Sequence, residues 1–139
     1  MKRYFIDSNI LLRVIARDSE KSFRECFDFL QKVESGKINA VTSNIVLAEV
    51  VWVLDSFYEM NKTKIAEALE RMKGSRFFKL IDNYDFDLAL SFYSRYGIKY
   101  VDAIIASNRD VQSKKWVIVS YDKDFDKLGV IRKEPSQIC

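Results

Sequence analysis

Short strand-like runs alternate with longer stretches of helical periodicity in this chain, and this alternation restricts the fold more than any other feature. One or two helical stretches lie between successive members of the first four strand-like runs. Crossovers of that length join parallel neighbours and place helices on both faces of the sheet. The sequence therefore predicts an α/β fold with three layers, α/β/α, around a central parallel sheet of about five strands. The candidate strands are Arg3–Ile6, 37–43, 77–81, 116–120 and 130–132.

Local signals place a helix between the first two strands. A polar stretch that ends in "RDSEKS" precedes this helix; Ser22 has with Glu25 the spacing of a capping box, and Gly36 ends the helical pattern. The predicted apolar stripe of this helix consists of Phe23, Cys26, Phe27, Leu30 and Val33.

Two further helix starts are visible in the sequence. Ser43 or Asn44 is expected to cap the helix after the second strand, and Asp85 to cap the helix after the third. The side chains that the second of these helices is expected to turn inward are Leu88, Ala89, Phe92, Tyr93 and Tyr96.

The composition allows a sizeable core within one domain. The chain has 139 residues, of which 48% are hydrophobic, and so few Pro and Gly that a long linker is excluded, so residues 1–139 are expected to form a single domain. The apolar runs fall short of the about 20 residues that a membrane span requires, and "MKRYFIDSN" lacks the apolar core of a signal peptide. We therefore expect a cytoplasmic protein that has no membrane partner.

The sequence contains no histidine, which excludes several kinds of catalytic site. Without imidazole there is no Ser-His-Asp triad, no histidine-assisted RNA cleavage and no histidine-bearing zinc site. Cys26 and Cys139 form neither a disulfide framework nor a metal-ligand pair, and we expect two free thiols. An enzyme of this composition depends on carboxylates, lysines, hydroxyls or a cofactor.

Four acidic residues stand out against their apolar surroundings. Asp7 and Asp122 follow the first and the fourth predicted strands, and ligands of open parallel α/β sheets bind beyond the carboxyl ends of the strands. Glu49 lies within the apolar run "IVLAEVVWVL" and Asp102 in the first turn of "YVDAIIAS". An unpaired charge buried at such a position costs several kcal/mol or becomes neutral.

Each acid alone also has an ordinary structural explanation. Asp7 and Asp122 fit polar turns, and Asp102 suits the positive end of a helix dipole. Glu49 could reach solvent along the edge of its helix. Taken together, the four fall where the sheet would gather them, and no Arg or Lys is placed by sequence to neutralise them as a group. Carboxylates brought so close repel one another, and a divalent cation removes that repulsion.

The donor set indicates which cation would bind and what chemistry would follow. Oxygen ligands without His or a Cys pair select hard ions, here Mg²⁺ or Mn²⁺, and such an ion can activate water in phosphodiester hydrolysis. The net charge of the chain is +3. If four of the 20 acids bind metal, 16 acids are left against 23 Lys and Arg, so the remaining surface carries a charge of about +7. A surface of this charge could hold a phosphate backbone. Scattered lysines are also ordinary on a solvated surface.

The sequence resembles the PIN domain family, and most of all its small ribonuclease toxins of the VapC type. No single motif is specific, and the order and spacing of four segments carry the resemblance: "FIDSNILL", "TSNIVLAEVVWVL", "YVDAIIAS" and "VIVSYDKDFDKL". The resemblance implies that the catalytic acids, which would bind Mg²⁺ or Mn²⁺, are Asp7, Glu49, Asp102 and Asp122.

The same resemblance suggests supporting residues around these acids. Ser120 falls at the small hydroxyl position two residues before the last acid, and Asp124 at a position where the family tolerates change. Asn9 and Ser43 fall at polar positions near the site.

The resemblance further implies a homodimer, cleavage of structured RNA such as transfer or ribosomal RNA, and inhibition by a cognate antitoxin protein. The expected function is thus that of a Mg²⁺- or Mn²⁺-dependent endoribonuclease, the toxin of a toxin-antitoxin pair. The alternative is a non-catalytic module, either a degenerate PIN-like or a receiver-like one, that binds Mg²⁺ for regulation. A receiver domain would carry a pair of acids after its first strand and a lysine directly after one of its last strands. In this sequence Asp7 is the only acid directly after the first strand, and no lysine directly follows "WVIVS".

Overall fold

The computed structural model describes residues 2–138, and its centre is a parallel sheet of four strands. The strands lie in the order β2-β1-β3-β4, and all three pairings are parallel. Their bounds are Arg3–Ile6 for β1, Ala40–Val41 for β2, Trp116–Val119 for β3 and Arg132–Lys133 for β4. The α/β class and the parallel sheet predicted from the sequence are confirmed.

The predicted strand at 77–81 accounts for the difference between four strands and about five. This segment contributes one isolated parallel bridge, between Leu80 and Thr42. The backbone before Leu80 turns on itself, because the N–H of Phe78 donates to the carbonyl of Ser75 at 3.1 Å. Too few residues are therefore extended to form a ladder.

Helices occupy most of the remaining chain. The first of them, α1, directly follows β1, where the sequence predicted no helix. The α-helices are α1 Ser8–Ala16, α2 Glu20–Glu34, α3 Asn44–Ser56, α4 Lys62–Lys73, α5 Phe86–Tyr96, α6 Tyr100–Ala106 and α7 Arg109–Gln112, and two 3₁₀ helices span Lys123–Leu128 and Pro135–Gln137.

The start of α2 corrects the predicted capping box. Ser19 caps this helix and accepts a hydrogen bond from the N–H of Ser22 at 3.3 Å, so the helix begins a turn earlier than Ser22. Phe29 is buried in the core, whereas Phe27, predicted to be inward, is 40% exposed and stacks on Phe23. Burial in α2 follows the i, i+3, i+7 spacing that packs against the sheet.

The predicted N-caps of α3 and α5 are confirmed, whereas the predicted inward face of α5 is confirmed only in part. Ser43 caps α3 and Asp85 caps α5, as expected. Of the α5 side chains expected to turn inward, Tyr93 and Tyr96 are about half exposed. The apolar stripe of α5 is therefore narrower than its sequence indicates, because only a strip centred on Phe92 is buried.

The register of the central strands fixes the edge at which polar residues meet. Ile6 of β1 lies beside Val119 of β3, and both are fully buried. The N–H of Asp7 donates to the carbonyl of Val119 at 3.1 Å. Asp7 and Ser120 therefore leave the sheet side by side at its carboxyl edge.

Two further sequence expectations concern membranes and thiols. No helix within residues 2–138 combines the length and the apolar character that crossing a membrane requires. Cys26 is a buried free thiol, as expected, and Cys139 lies outside the described residues.

Candidate metal centre

Asp7 is held at the carboxyl end of β1 as the N-cap of α1. Its side chain is 2% exposed and accepts hydrogen bonds from the N–H of Ser8 at 2.8 Å and from the hydroxyl of Ser120 at 2.7 Å. Burial raises the pKa of Asp7 to about 6, and the charge of Glu49 adds to the rise, while the two hydrogen bonds oppose it. The carboxylate is thus fixed in position by donors that favour its ionised form.

A small polar network joins the end of β1 to the end of β3. Asn9 Nδ2 donates to Asp7 Oδ2 at 3.2 Å and to Ser120 Oγ at 2.9 Å, and Asn9 Oδ1 accepts from the N–H of Tyr121 at 3.2 Å. Ser120, which is fully buried, also accepts from the N–H of Asp122 at 3.0 Å. Asn9 and Ser120 therefore contact the site, and they orient both strand-end acids.

Three acids converge beside this network. One ligand oxygen each of Asp102, Asp122 and Asp124 lies within 4.8 Å of the others. Asp122 caps the 3₁₀ helix and accepts from the N–H of Asp124 at 2.9 Å, so it serves the turn as well as the cluster. Asp124 additionally pairs with Lys127 at 3.2 Å, and its side chain is 40% exposed.

Asp102 stands out among residues 2–138 because its buried side chain lacks hydrogen-bond partners. It is 1% exposed in the first turn of α6, and among residues 2–138 no donor reaches either of its carboxylate oxygens. The carboxylate of Asp122 faces it, so the two can form a hydrogen bond only when they share a proton. Burial raises the pKa of Asp102 to about 8, and the nearby acids Asp7 and Asp122 contribute to the rise.

Glu49 points inward from the second turn of α3, as its apolar surroundings predicted. Its side chain is 13% exposed, and Oε1 accepts a short hydrogen bond from the hydroxyl of Ser8. Oε2 lies 3.4 Å from the ammonium of Lys99. Glu49 therefore lies at the mouth of the site, between a hydroxyl and a cation.

Lys99 corrects the expectation that no cation is placed to neutralise the acids. It lies at the N-cap position of α6 and is mostly exposed. Burial acts to lower the pKa of Lys99, but the charges of the acids outweigh it and raise the value. The acids whose charge acts on this ammonium are, in decreasing order, Asp102, Glu49, Asp7 and Asp122. All four predicted acids therefore gather around one cation.

One predicted supporting residue does not contact the acids. Ser43 is fully buried and its hydroxyl accepts from the N–H of Val46 at 3.3 Å, which stabilises the start of α3. Two residues that contact the acids, Ser8 and Lys99, were missed. Lys99 had a usable signal, because it precedes Asp102 by three residues at a helix start and such neighbours share a face.

The residues fit a divalent cation. Asp102 has two buried oxygens without a donor, its neighbours offer further carboxylate oxygens, and the donor set contains no nitrogen or sulfur. A single ammonium at the mouth cannot compensate four carboxylates. A hard cation among these oxygens would replace the missing donors and remove the repulsion.

The comparison with protein families agrees with this arrangement. The pattern of the PIN domain matches residues 4–131, which include every acid of the site. The chain belongs to the PIN domain family. Membership of this family removes the receiver-like fold from consideration, while a degenerate PIN module is not affected. A search of curated proteins finds no significant match.

Solved structures of similar fold come from several organisms. A DNA-bound VapBC from Salmonella typhimurium matches with a TM-score of 0.66 and 16% identity, over 97% of this chain and 99% of that chain. VapBC2 from Rickettsia felis, bound to a DNA fragment from their promoter, matches with a TM-score of 0.64 and 17% identity, over 95% and 98%. PAE2754 from Pyrobaculum aerophilum matches with a TM-score of 0.60 and 18% identity, over 94% and 90%. At these identities the likeness concerns the fold.

Proposed function

We propose that this PIN domain protein is an endoribonuclease that depends on Mg²⁺ or Mn²⁺. The observation that carries the proposal is the cluster of Asp102, Asp122 and Asp124, whose ligand oxygens lie within 4.8 Å of one another, with Asp102 buried and lacking any donor among residues 2–138. Asp7 and Glu49 lie beside this cluster, near the same ammonium of Lys99. Asp7, Glu49, Asp102 and Asp122 would hold the ion, which when bound supplies positive charge to a phosphodiester during hydrolysis. Family membership supports phosphodiester hydrolysis.

The chain's own residues would prepare the site for this chemistry. The hydroxyl of Ser120 and the N–H of Ser8 hold Asp7 in one rotamer, so the carboxylate loses little conformational entropy when it binds a cation. Asp102 holds a proton near neutral pH, because its pKa is about 8, and would release it when a cation enters. Asp124, at the exposed side of the cluster, is a supplementary ligand.

We further propose that the protein is the toxin of a toxin-antitoxin pair and acts as one PIN-like domain over residues 1–139. The likeness in fold to VapBC proteins of two bacteria supports an antitoxin protein as a partner. Structured RNA, such as transfer or ribosomal RNA, is the proposed substrate, and a homodimer in the cytoplasm the proposed form.

Cleavage of purified RNA tests the activity. The wild-type protein is incubated with total RNA in Mn²⁺ or in chelator, and the cut ends are mapped. We expect cutting in Mn²⁺ alone, with a 5′-phosphate at each cut end, and no cutting by Asp7→Asn, in which the amide keeps the helix cap. Asp126→Asn is the matched control, because Asp126 lies in the same region but pairs with Arg132 at 3.0 Å.

Three outcomes would contradict the proposal. Cutting by Asp7→Asn at the wild-type rate would remove Asp7 from the chemistry, and cutting that persists in chelator would exclude metal dependence. Mn²⁺ binding by calorimetry without any cutting would point to the degenerate regulatory module.

A further inference from the structure

A group of cations lies at the edge of the sheet opposite the acidic cluster, where β1 and β3 begin. Two cavities of about 480 and 590 Å³ open there and share Asn39 in their walls. Within residues 2–138, no Asp or Glu lines either cavity. We call the cations that line them the amino-edge patch; they are Lys2, Arg3, Arg76, Lys79, Lys114 and Lys115.

The patch is exposed and its charges are not neutralised. Five of its six members are exposed, and Arg3 is half-buried. None of the six forms an ion pair with another residue of the described chain 2–138. Glu34, near Arg76, accepts from the backbone N–H of this residue and not from its guanidinium. The full positive charge is therefore available to a ligand.

The backbone orders one half of the patch. Lys114 adopts a left-handed conformation, with φ 66°, which side chains other than glycine seldom adopt. The ammonium of Lys2 donates to the carbonyl of Lys114 at 2.9 Å, and the guanidinium of Arg3 lies 5.8 Å from the centre of the Trp116 ring. These contacts hold the cations at the starts of β1 and β3 side by side.

The charge of the remaining molecule is close to balanced. Without the patch, 17 Lys and Arg would face 20 Asp and Glu, of which Asp7 and Asp102 are buried. Three cations near the acidic cluster are paired with acids of that edge: Lys99 with Glu49, Lys127 with Asp124, and Arg132 with Asp126. Even with one divalent ion bound, the four acids and Lys99 together keep a formal charge of about −1. A second cationic surface would therefore add to the affinity for RNA.

We propose that the amino-edge patch binds the phosphate backbone of the RNA substrate, at a distance from the cleavage site. This inference rests on the proposed function. Neighbouring strands lie about 4.8 Å apart, so cations at the starts of β2, β1 and β3 form a row about 10 Å long, which suits a repeated charge better than a single phosphate. The four residues of β1 put about 13 Å between the patch and Asp7.

The chemistry of the patch favours nucleic acid over an anionic membrane. Membrane attachment by a basic surface is strengthened by apolar side chains that enter the lipid. The large hydrophobic side chains that are exposed within residues 2–138 lie outside both cavities, and Trp116 is 8% exposed. The patch thus offers charge without an apolar anchor.

Binding of a labelled RNA hairpin, followed by fluorescence anisotropy in chelator, tests the patch without cleavage. The edge variant combines Lys2→Gln, Lys79→Gln and Lys115→Gln, which span both cavities. The control variant combines Lys21→Gln, Lys62→Gln and Lys64→Gln, which remove the same charge at the N-terminal ends of α2 and α4. All six lysines are exposed, so both variants are expected to fold, and circular dichroism checks that they do.

The expected result is specific in size. For contacts with single-stranded RNA, each lost phosphate contact reduces the steepness of a plot of log affinity against log salt concentration by about 0.7. The edge variant replaces three lysines, so this steepness should fall by about 2. Its binding should be roughly 100-fold weaker at about 0.1 M salt. The control variant should lose much less. An equal loss in the two variants, or none in the edge variant, would overturn the inference, as would binding of phosphatidylserine vesicles but not of RNA.

Cleavage kinetics in Mn²⁺ separate this inference from the proposed function. The edge variant should show a raised KM for structured RNA with kcat unchanged, since the patch does not touch the reacting atoms. RNA cleavage with an unchanged KM would refute the role of the patch and leave the nuclease in place. Patch-dependent RNA binding without any cleavage would refute the nuclease and support the patch.

Discussion

Replacing Asp102 with Asn should stabilise the metal-free protein while impairing its function. Asp102 has a pKa of about 8 in the folded chain against 3.8 for an unperturbed aspartate. The folded protein must therefore keep a proton at pH 7 that the unfolded chain has released, and about 3 pH units at 1.36 kcal/mol each give a cost of about 4 kcal/mol. Asn carries no such cost, and its amide can donate to Asp122. We expect Asp102→Asn to raise the free energy of unfolding by about 2 to 4 kcal/mol at pH 7.

Denaturant unfolding in chelator measures this difference across pH. For an acid whose folded pKa is raised, the destabilisation is absent below the unfolded pKa and grows as pH rises to the folded value. The advantage of Asp102→Asn should therefore be close to zero at pH 4, increase steadily to about pH 8 and then stay constant. In Mn²⁺ at 100 times its Kd, the wild type should gain about 2.7 kcal/mol and the variant much less.

An exposed acid provides the matched control. Asp87 lies in the first turn of α5, as Asp102 does in α6, but in solvent. Asp87→Asn should lose a few tenths of a kcal/mol at pH 7, because the only effect is at the helix dipole. If Asp102→Asn in chelator were also less stable than the wild type, Asp102 would be an ordinary helix-start acid and the reasoning would be refuted.

Three further predictions concern the site. Mn²⁺ affinity, measured by calorimetry, should fall about tenfold per pH unit from pH 8 to pH 6 as Asp102 retains its proton, and more steeply below about pH 6 as Asp7 does so too; a flat profile would contradict this. Ser120→Ala removes the 2.7 Å hydrogen bond to Asp7 and should weaken Mn²⁺ binding 10- to 100-fold, whereas an unchanged Kd would make the hydroxyl dispensable. Lys99→Met removes a cation beside the four acids and should tighten Mn²⁺ binding severalfold above pH 8, where Asp7 and Asp102 are ionised; weaker binding would show that Lys99 supports the ion.

The sequence predicted the gathering of the four acids from their positions taken together, because each acid alone has an ordinary explanation. Asp7 and Asp122 follow strands, and parallel strands end at one edge, so their proximity follows from the fold class alone. Glu49 and Asp102 interrupt apolar helices, and the cost of burying a lone carboxylate indicated a shared partner. These signals depend on the backbone pattern, which periodicity reveals.

Contacts set by side-chain direction could not be obtained in this way. Ser8 reaches Glu49 because α1 starts directly after β1, and the helical spacing of Ile10, Leu11, Val14 and Ile15 does not show which neighbouring helix the start of α1 faces. The strand expected at 77–81 has suitable residues, yet a turn before Leu80 leaves it one bridge. Tertiary context therefore decided both.

Anomalous diffraction from crystals soaked in Mn²⁺ tests the central claim most directly, because it locates the ion without reference to activity. We expect a strong anomalous peak within about 2.0 to 2.6 Å of carboxylate oxygens of Asp102 and Asp122, in the vicinity of Asp7. Fully occupied Mn²⁺ elsewhere on the surface, with no peak among these acids, would contradict it.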